Sequence, residues 1–433
     1  MPVPTRRLAG LAALGAVAIV AADLALGFWV VNGLLLVVAA LDWWLAVRPD
    51  RIGVRRALPE VLALGAEGTV SWRVHNPTDR PVRVAVADEL APSLLASTRR
   101  IEATVPARSS IEGRADIRPV RRGRFDPHRV VVRSYGPLGL VARQRERQVP
   151  GLLRVLPPFH SRHEAELRID RARVPEVGLR LAPTRGGGTE FDQLQEYSPD
   201  DEFRRIDWSA TARAGKAIVR TYRAERNQTV IALLDNGRVM AATVAGVPRV
   251  EHAMDAVLML TAVATRLGDR AGMVAFDQTV RAVVPPAHGR GQLTRVTEAM
   301  YDLEPVLAES DYRGAFTTTL ARFRRRSLLV VLTDLVEQAV GETLLPALPV
   351  IARSHLVIVA AVQDPEVVRW ARSTPADGDE AYRKAAAVAA LDERRRTTAR
   401  LQGLGATVVD APPGDLAPRL ADAYLKVKAT GRL

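Results

Sequence analysis

The chain contains no cysteine. Disulfide frameworks, thiolate zinc sites and a cysteine nucleophile are therefore excluded. Histidine is also scarce, with seven residues scattered over 433, which leaves little material for a histidine-rich metal centre. His160 and His163 form an i, i+3 pair, but no carboxylates cluster around them, so they read as linker surface. The triple glycine Gly186-Gly187-Gly188 is not followed by Gly-Lys-Ser/Thr, so it reads as a turn rather than a phosphate loop. With no Walker motif in the chain, any ATP-driven work must come from another protein. The formal charge is +13, yet no helix-turn-helix, zinc-finger or aromatic RNA-binding signature accompanies it.

What is present is ordinary in bulk: 48% hydrophobic and 25% charged residues, which excludes disorder as the main state. The length suits two or three domains. The apolar residues are unevenly spread. From residue 8 to 47 the strongly polar residues are Asp23, Asn32 and Asp42 alone. A helical bilayer crossing takes roughly 20 apolar residues, so this stretch predicts two short crossings, 8–25 and 28–47, turning near Asp23 and Gly27. Phe28 and Trp29 at one end of the second crossing, with Trp43 and Trp44 at the other, form aromatic belts. Ala9, Ala13, Ala12 and Ala16 are small enough for close helix approach. Arg6 and Arg7 before the hairpin, and Arg48, Arg51, Arg55 and Arg56 after it, place both ends on the cytoplasmic side of the inner (plasma) membrane. The alternatives are a cleaved signal peptide ending near Ala21 and Ala22, which leaves 28–47 as an anchor, and a buried soluble hairpin.

Beyond residue 57 the period changes to two. Val70, Trp72 and Val74 alternate with polar residues, as do Val82, Val84 and Val86. Asn76-Pro77-Thr78-Asp79 between them predicts a hairpin turn. Further runs at 101–105, 111–117, 129–132 and 152–156 repeat at sandwich-like spacing, which predicts a small β-sandwich. Arg99, Arg100, Arg118, Arg121, Arg122, Arg124, Arg129 and Arg133 make this stretch basic. A solvated strand face accounts for them; an anionic lipid or nucleic-acid surface is the sharper alternative.

The final part alternates apolar strands and helices. Strands are predicted at 229–234, 272–276, 328–333, 356–362 and 406–409, with a helix at 250–267, which implies a mainly parallel sheet covered on both faces. Asp235, Asp334, Asp364 and Asp410 recur at strand ends, where open α/β sheets place their sites. His288-Gly289-Arg290-Gly291 reads as a loop, and 381–401 as a long helix packed on one face.

Between the last two regions lies a dense segment from Glu190 to Gly215. Carboxylates Glu196, Asp200, Asp201 and Asp207 interleave with Arg204, Arg205 and Arg213. Interleaving favours ion pairs over a hydrolase's paired carboxylates, which would need one raised pKa and a cleft. Asp207 fits the N-cap of a short helix stopped by Gly215. This segment resembles the signature of the bacterial domain-of-unknown-function-58 family, at Glu190, Phe191, Leu194, Tyr197, Asp201, Arg204, Ile206, Asp207, Trp208, Arg213 and Glu225. Gln195 and Asp200 depart from it, standing where the family usually has Arg and Gly.

The resemblance covers nearly the whole chain. It implies a transmembrane helical hairpin (1–50), a β-sandwich-like domain (57–155), a linker with the signature motif (156–222) and an α/β, Rossmann-like, von Willebrand factor type A-like domain (223–433). It also implies a MoxR-type AAA+ ATPase as protein partner. Metal-binding type A domains carry Asp-x-Ser-x-Ser after the first strand, with a later Thr and Asp. Here the loop reads Asp235-Asn236-Gly237-Arg238-Val239, so both serines are gone. Ser310 stands near the Thr position and Asp334 at the last Asp. A degenerate site at Asp235, Ser310 and Asp334 is thus expected to bind magnesium weakly if at all, with Asp235 instead capping the next helix. No other cofactor is expected. The reading that follows is a membrane-tethered, non-enzymatic adaptor acting in assembly or maintenance of a membrane or envelope complex. The alternatives are a membrane-bound hydrolase using Asp200, Asp201 and Asp207, and a lipid or nucleic-acid binder using the arginine-rich β-domain.

Overall fold

The structure is a computed structural model and describes residues 2–22, 25–178, 190–198, 203, 206–223, 227–336 and 340–430. Two units make up the chain, Met1–Leu156 and Pro157–Leu433. A multidomain, mixed helix–sheet architecture is what the sequence predicts at that level.

The first unit opens with a short strand, β1 (Pro2–Pro4), and two apolar helices, α1 (Arg6–Ala22) and α2 (Ala25–Leu45). They pack together, and the close approach falls at Gly15 rather than at the alanines. A Cβ there would lie 3.0 Å from Val31. Asp23, the expected turn residue, lies outside the described residues. One helical stretch, Gly27–Arg51, is long and apolar enough to cross a membrane. Leu14, Trp29, Leu34, Leu36 and Trp44 all stand exposed on this helix pair.

Ten strands follow: β2 (Gly53–Ala57), β3 (Val61–Ala63), β4 (Gly68–Asn76), β5 (Val82–Asp88), β6 (Arg100–Val105), β7 (Ser109–Ile117), β8 (Gly123–Phe125), β9 (Arg129–Tyr135), β10 (Val141–Gln148) and β11 (Leu153–Leu156). They form three sheets, ordered β1-β10-β9-β5-β6, β2-β4-β7 and β3-β11-β8. Alternation places Val54 and Val74 of one sheet against Val84, Val86, Val130 and Val132 of another, in a single valine-rich core. The predicted β4–β5 hairpin is not formed. β4 pairs with β2 and β7, whereas β5 pairs with β6 and β9. The reason is Asn76, which is fully buried and donates to the carbonyls of Arg80, Val105 and Pro106. These bonds carry the chain from one sheet to the other. Two half-buried strands facing each other across a core show the same period as two strands side by side.

Asp42, the acid near the end of α2, is 1% exposed. Its carboxylate accepts the backbone N–H groups of Leu138 (2.7 Å), Leu140 (2.8 Å) and Val141 (2.9 Å) in the β9–β10 turn. Gly136 makes the approach possible, since a Cβ there would sit 2.3 Å from the carboxylate. Thr5, just before α1, donates its hydroxyl to the carbonyls of Gly139 and Leu140. The start of α1 and the end of α2 are therefore tied to one turn of the β-sandwich.

The second unit contains α3 (Arg162–Gly178), β12 (Glu190–Glu196), α4 (Trp208–Ala214), β13 (Ile218–Arg223), β14 (Thr229–Asp235), α5 (Arg238–Ala241), β15 (Thr243–Val244), β16 (Val247–Pro248), α6 (Arg249–Arg266), β17 (Arg270–Phe276), β18 (Val280–Ala287), α7 (Gly291–Met300), α8 (Tyr312–Arg322), β19 (Leu328–Leu332), α9 (Leu345–Ala352), β20 (Leu356–Val362), α10 (Pro365–Arg372), α11 (Gly378–Gly403), β21 (Thr407–Ala411) and α12 (Leu416–Ala429). Six strands form the main sheet, in the order β18-β17-β14-β19-β20-β21. All neighbours are parallel except the edge pair β17–β18. Strands buried on both faces read as unbroken apolar runs. Val230, Ala232 and Leu234 of β14 meet α6 and α12 on one face, while Ile231 and Leu233 meet α8 and α9 on the other. Ala165 and Ile169 of α3 join the first of these cores.

Replacing Asp42 with alanine leaves three backbone donors without their acceptor, each lost bond costing about 1–3 kcal/mol. Hydrogen exchange at the Leu138, Leu140 and Val141 amides is expected to speed up about tenfold or more in Asp42→Ala. Unchanged exchange there would contradict the clamp.

Candidate functional site

The signature segment folds as a hairpin. β12 and β13 pair antiparallel, with a bulge between Phe191 and Gln193, and α4 lies between them in sequence. Glu190 and Phe191 sit at the start of β12, opposite Arg223 and Tyr222. The N–H of Tyr197 donates to the carbonyl of Ala217. Asp207 is the N-cap of α4, as its spacing predicts. One oxygen accepts from the N–H groups of Ser209 (3.0 Å) and Ala210 (3.1 Å), and the other from Arg220 (2.8 Å). The Ala210 amide and then the Arg220 guanidinium hold this carboxyl below its ordinary pKa. Gly215, at φ +67°, closes the helix in the left-handed region that favours glycine.

Trp208 and Phe203 are 62% and 65% exposed and meet edge to face with ring centroids 5.7 Å apart. Arg213 is exposed in the last turn of α4. Asp200, Asp201, Arg204, Arg205 and Glu225 lie outside the described residues. Of the expected carboxylate cluster, Glu196 and Asp207 are described: Glu196 pairs with Lys216 at 2.9 Å, and both oxygens of Asp207 are engaged. Among the described residues the bonds of Asp207 stay within the hairpin, as cap and strand tie.

A second cluster sits at the C-terminal ends of β14, β19 and β21. Asp235 is fully buried. One oxygen accepts from the N–H of Gly237 (2.9 Å) and the hydroxyl of Ser310 (2.5 Å); the other accepts from the hydroxyls of Tyr312 (2.6 Å) and Thr333 (2.6 Å). Asp235 therefore does not cap α5, whose N-cap is Gly237. Its side chain turns back to the loop before α8 instead. A Cβ at Gly237 would lie 2.1 Å from the Ser310 oxygen, so only glycine leaves room for this hydroxyl.

Asp334, one residue past Thr333, is 1% exposed. It pairs with Arg249 at the start of α6 (2.8 Å) and with Arg394 of α11 (2.7 Å), and accepts the N–H of Leu335. Arg394 also forms two bonds to Asp410 (both 2.8 Å) and one to the Val362 carbonyl (2.9 Å). Burial opposes the charge on Arg394. The hydrogen bond and charge of Asp410, with the charge of Asp334, outweigh it and raise its pKa above the ordinary value. Burial, with the negative charge of Asp235, pushes the Tyr312 phenol well above its usual range, so it stays protonated and donating.

Space thus brings together the three residues of the degenerate metal site, Asp235, Ser310 and Asp334. Their chemistry does not fit a divalent cation. The lone pairs of Asp235 are taken by four protein donors, and Asp334 already faces two guanidinium groups. Gly237 and Val239 offer no side-chain oxygen, and among the described residues no group of three or more His, Cys, Asp or Glu is placed to hold a metal. Sequence reasoning missed Tyr312, Arg249 and Arg394. Tyr312 follows Ser310-Asp311 and was within reach; Arg394 lies among many arginines of α11 with nothing local to single it out. In the basic β-sandwich, Arg100, Arg124 and Arg129 pair with Glu102, Asp126 and Glu89, as a solvated strand face would.

Residues 193–391 match the model of the family described as protein of unknown function DUF58. The match takes in most of the hairpin and the sheet as far as β20. Uncharacterized proteins Rv1480 of Mycobacterium tuberculosis and Mb1516 of Mycobacterium bovis are each 27% identical over 185 residues, 42% of this chain. The chain spans 57% of the length of these relatives. Among solved structures, proximal thread matrix protein 1 of the mussel byssus is 12% identical over 48% of each chain, with a TM-score of 0.30. The CARDB domain of PF1109 from Pyrococcus furiosus covers 23% of this chain and 94% of its own, at 12% identity and a TM-score of 0.17.

Removing one partner of a buried ion pair typically costs about 3–5 kcal/mol. Arg394→Ala strands Asp410 and leaves Asp334 with Arg249 alone, so denaturant unfolding of the second unit should show a loss of about 3 kcal/mol. Arg394→Lys, which lacks the planar fork, should recover only part of it. A loss below about 1 kcal/mol in the alanine variant would place the energy elsewhere.

Proposed function

We propose that the protein is a membrane-tethered, non-enzymatic adaptor whose second unit binds a protein partner at the C-terminal rim of its main sheet. The observation that carries this reading is the state of the rim carboxylates. Asp235 and Asp334 are spent on Ser310, Tyr312, Thr333, Arg249 and Arg394. Groups so engaged stiffen the rim: four donors fill Asp235, and Asp334 is paired with two guanidinium groups, which leaves neither poised as a general base. The parallel sheet with one antiparallel edge strand and helices on both faces supports a von Willebrand factor type A-like domain. The two apolar helices, with Arg6, Arg7, Arg48 and Arg51 flanking them, support a transmembrane hairpin with both ends on the cytoplasmic side of the inner membrane.

The partner this reading assigns is a MoxR-type AAA+ ATPase, on the family resemblance of the signature segment. The exposed Phe203–Trp208 pair adds an aromatic contact of the kind that anchors protein interfaces. The role that follows is assembly or maintenance of a membrane or envelope complex. Affinity purification of the full chain from membranes under ATP-trapped conditions should recover an AAA+ ATPase. A Trp208→Ala chain should recover less of it. Absence of any such ATPase from the wild-type preparation would overturn the reading.

A further inference from the structure

Arg143 and Arg48 lie within reach of each other's charge where α2 meets the β-sandwich, and Arg7 lies at the adjoining β9–β10 turn; none of the three has a carboxylate partner among the described residues. Arg143 of β10 lies 4.5 Å over the Trp43 ring and donates to the carbonyls of Trp43 (2.9 Å) and Trp44 (3.5 Å). The guanidinium of Arg7 lies against Gly139, in the turn that binds Asp42. Arg48, three residues past the end of α2, is exposed. Burial, and then the like charge of Arg48, lowers the pKa of Arg143. The nearby acids are already committed: Asp42 to three backbone amides, and Asp50 to Arg145 at 2.5 Å. A cluster of like charges beside an apolar helix end calls for an anion from outside the chain.

We propose that Arg143, Arg48 and Arg7 bind the phosphate of an anionic phospholipid at the Trp43 end of α2. This rests on the membrane reading of the helices given above. The guanidinium fork matches phosphate oxygens in pairs. The Trp43 ring and the Trp43 and Trp44 carbonyls fix the Arg143 guanidinium through its Nε and Nη2, so its remaining N–H groups are the ones offered to the phosphate. Exposed Trp44 (71%) and Leu138 (53%, at the tip of the clamping turn) are side chains suited to the level of lipid headgroups. The occupant is a lipid rather than a free anion because the arginines stand beside a helix whose flanks are apolar and exposed.

The test uses the full chain and vesicles of phosphatidylcholine with or without phosphatidylglycerol, followed by native mass spectrometry of the lipids retained after extraction. Wild type should retain phosphatidylglycerol over phosphatidylcholine by about tenfold or more. The variant Arg7→Gln/Arg48→Gln/Arg143→Gln should insert equally and lose that preference. If the triple variant does not insert, Arg48→Gln alone, at an exposed position, should lower the preference about fivefold. Insertion of wild type with no lipid preference, or a preference unchanged in the variants, overturns the lipid site and leaves the membrane reading intact. Displacement of the lipid by millimolar inorganic phosphate overturns it in favour of a free-anion site. Failure of wild type to enter either vesicle overturns both.

Discussion

A carboxylate buried at the end of a parallel sheet must be neutralised, and here the chain does so with its own side chains. Asp334 is held between Arg249, which begins α6, and Arg394, which lies midway along α11. Arg394 reaches on to Asp410 in β21 and to the Val362 carbonyl at the end of β20. α6 belongs to the core on one face of the sheet, and Leu401 of α11 to the core on the other. One charge network therefore binds helices from both layers across the sheet's rim. Beside it, Asp235 organises Ser310, Tyr312 and Thr333 from the loop before α8, α8 itself and the end of β19. In the low dielectric of this site a broken pair costs far more than an intact one contributes, so the network acts as a specification of geometry.

The first unit solves the same problem twice. Arg56 and Asp88 have no exposed side-chain surface, pair at 2.5 Å, and are joined by the Trp72 indole N–H at 2.5 Å. Their strands, β2, β5 and β4, come from two sheets, so the pair links the layers of the sandwich. Asp42 uses backbone amides instead of a cation. That choice fixes the end of α2 to the β9–β10 turn and leaves Arg7, Arg48 and Arg143 without a carboxylate partner among the described residues, which is the charge imbalance from which the lipid site is inferred.

Much of the fold was legible because buried parallel strands advertise themselves. The apolar runs at 229–234, 328–333 and 356–362 match β14, β19 and β20 closely. β18 was not legible: Pro285 and Pro286 argue against a strand, and are tolerated because β18 is an edge. β10, with its Arg-Gln-Arg-Glu-Arg run, was equally hidden, since its exposed face is polar and Ala142 is its one fully buried side chain. The wrong pairing of β4 and β5 arose because period two reports burial on one face, not which strand lies alongside. At the candidate site, Asp235, Ser310 and Asp334 could be named from spacing. Arg249 and Arg394 could not, because a cation that reaches a carboxylate across a fold leaves no local pattern. The Asp207 cap was legible because its partners are two and three residues away.

These features converge on a rim whose buried acids are engaged by the chain's own donors. The most direct measurement is thermal unfolding of the intact chain during titration with magnesium to millimolar concentration, then EDTA. If Asp235 and Asp334 are satisfied by the chain's own donors, the melting temperature stays where it was in wild type and in Asp235→Ala alike. A clear rise with magnesium, reversed by EDTA and absent in Asp235→Ala, would contradict this and restore a metal centre to the rim.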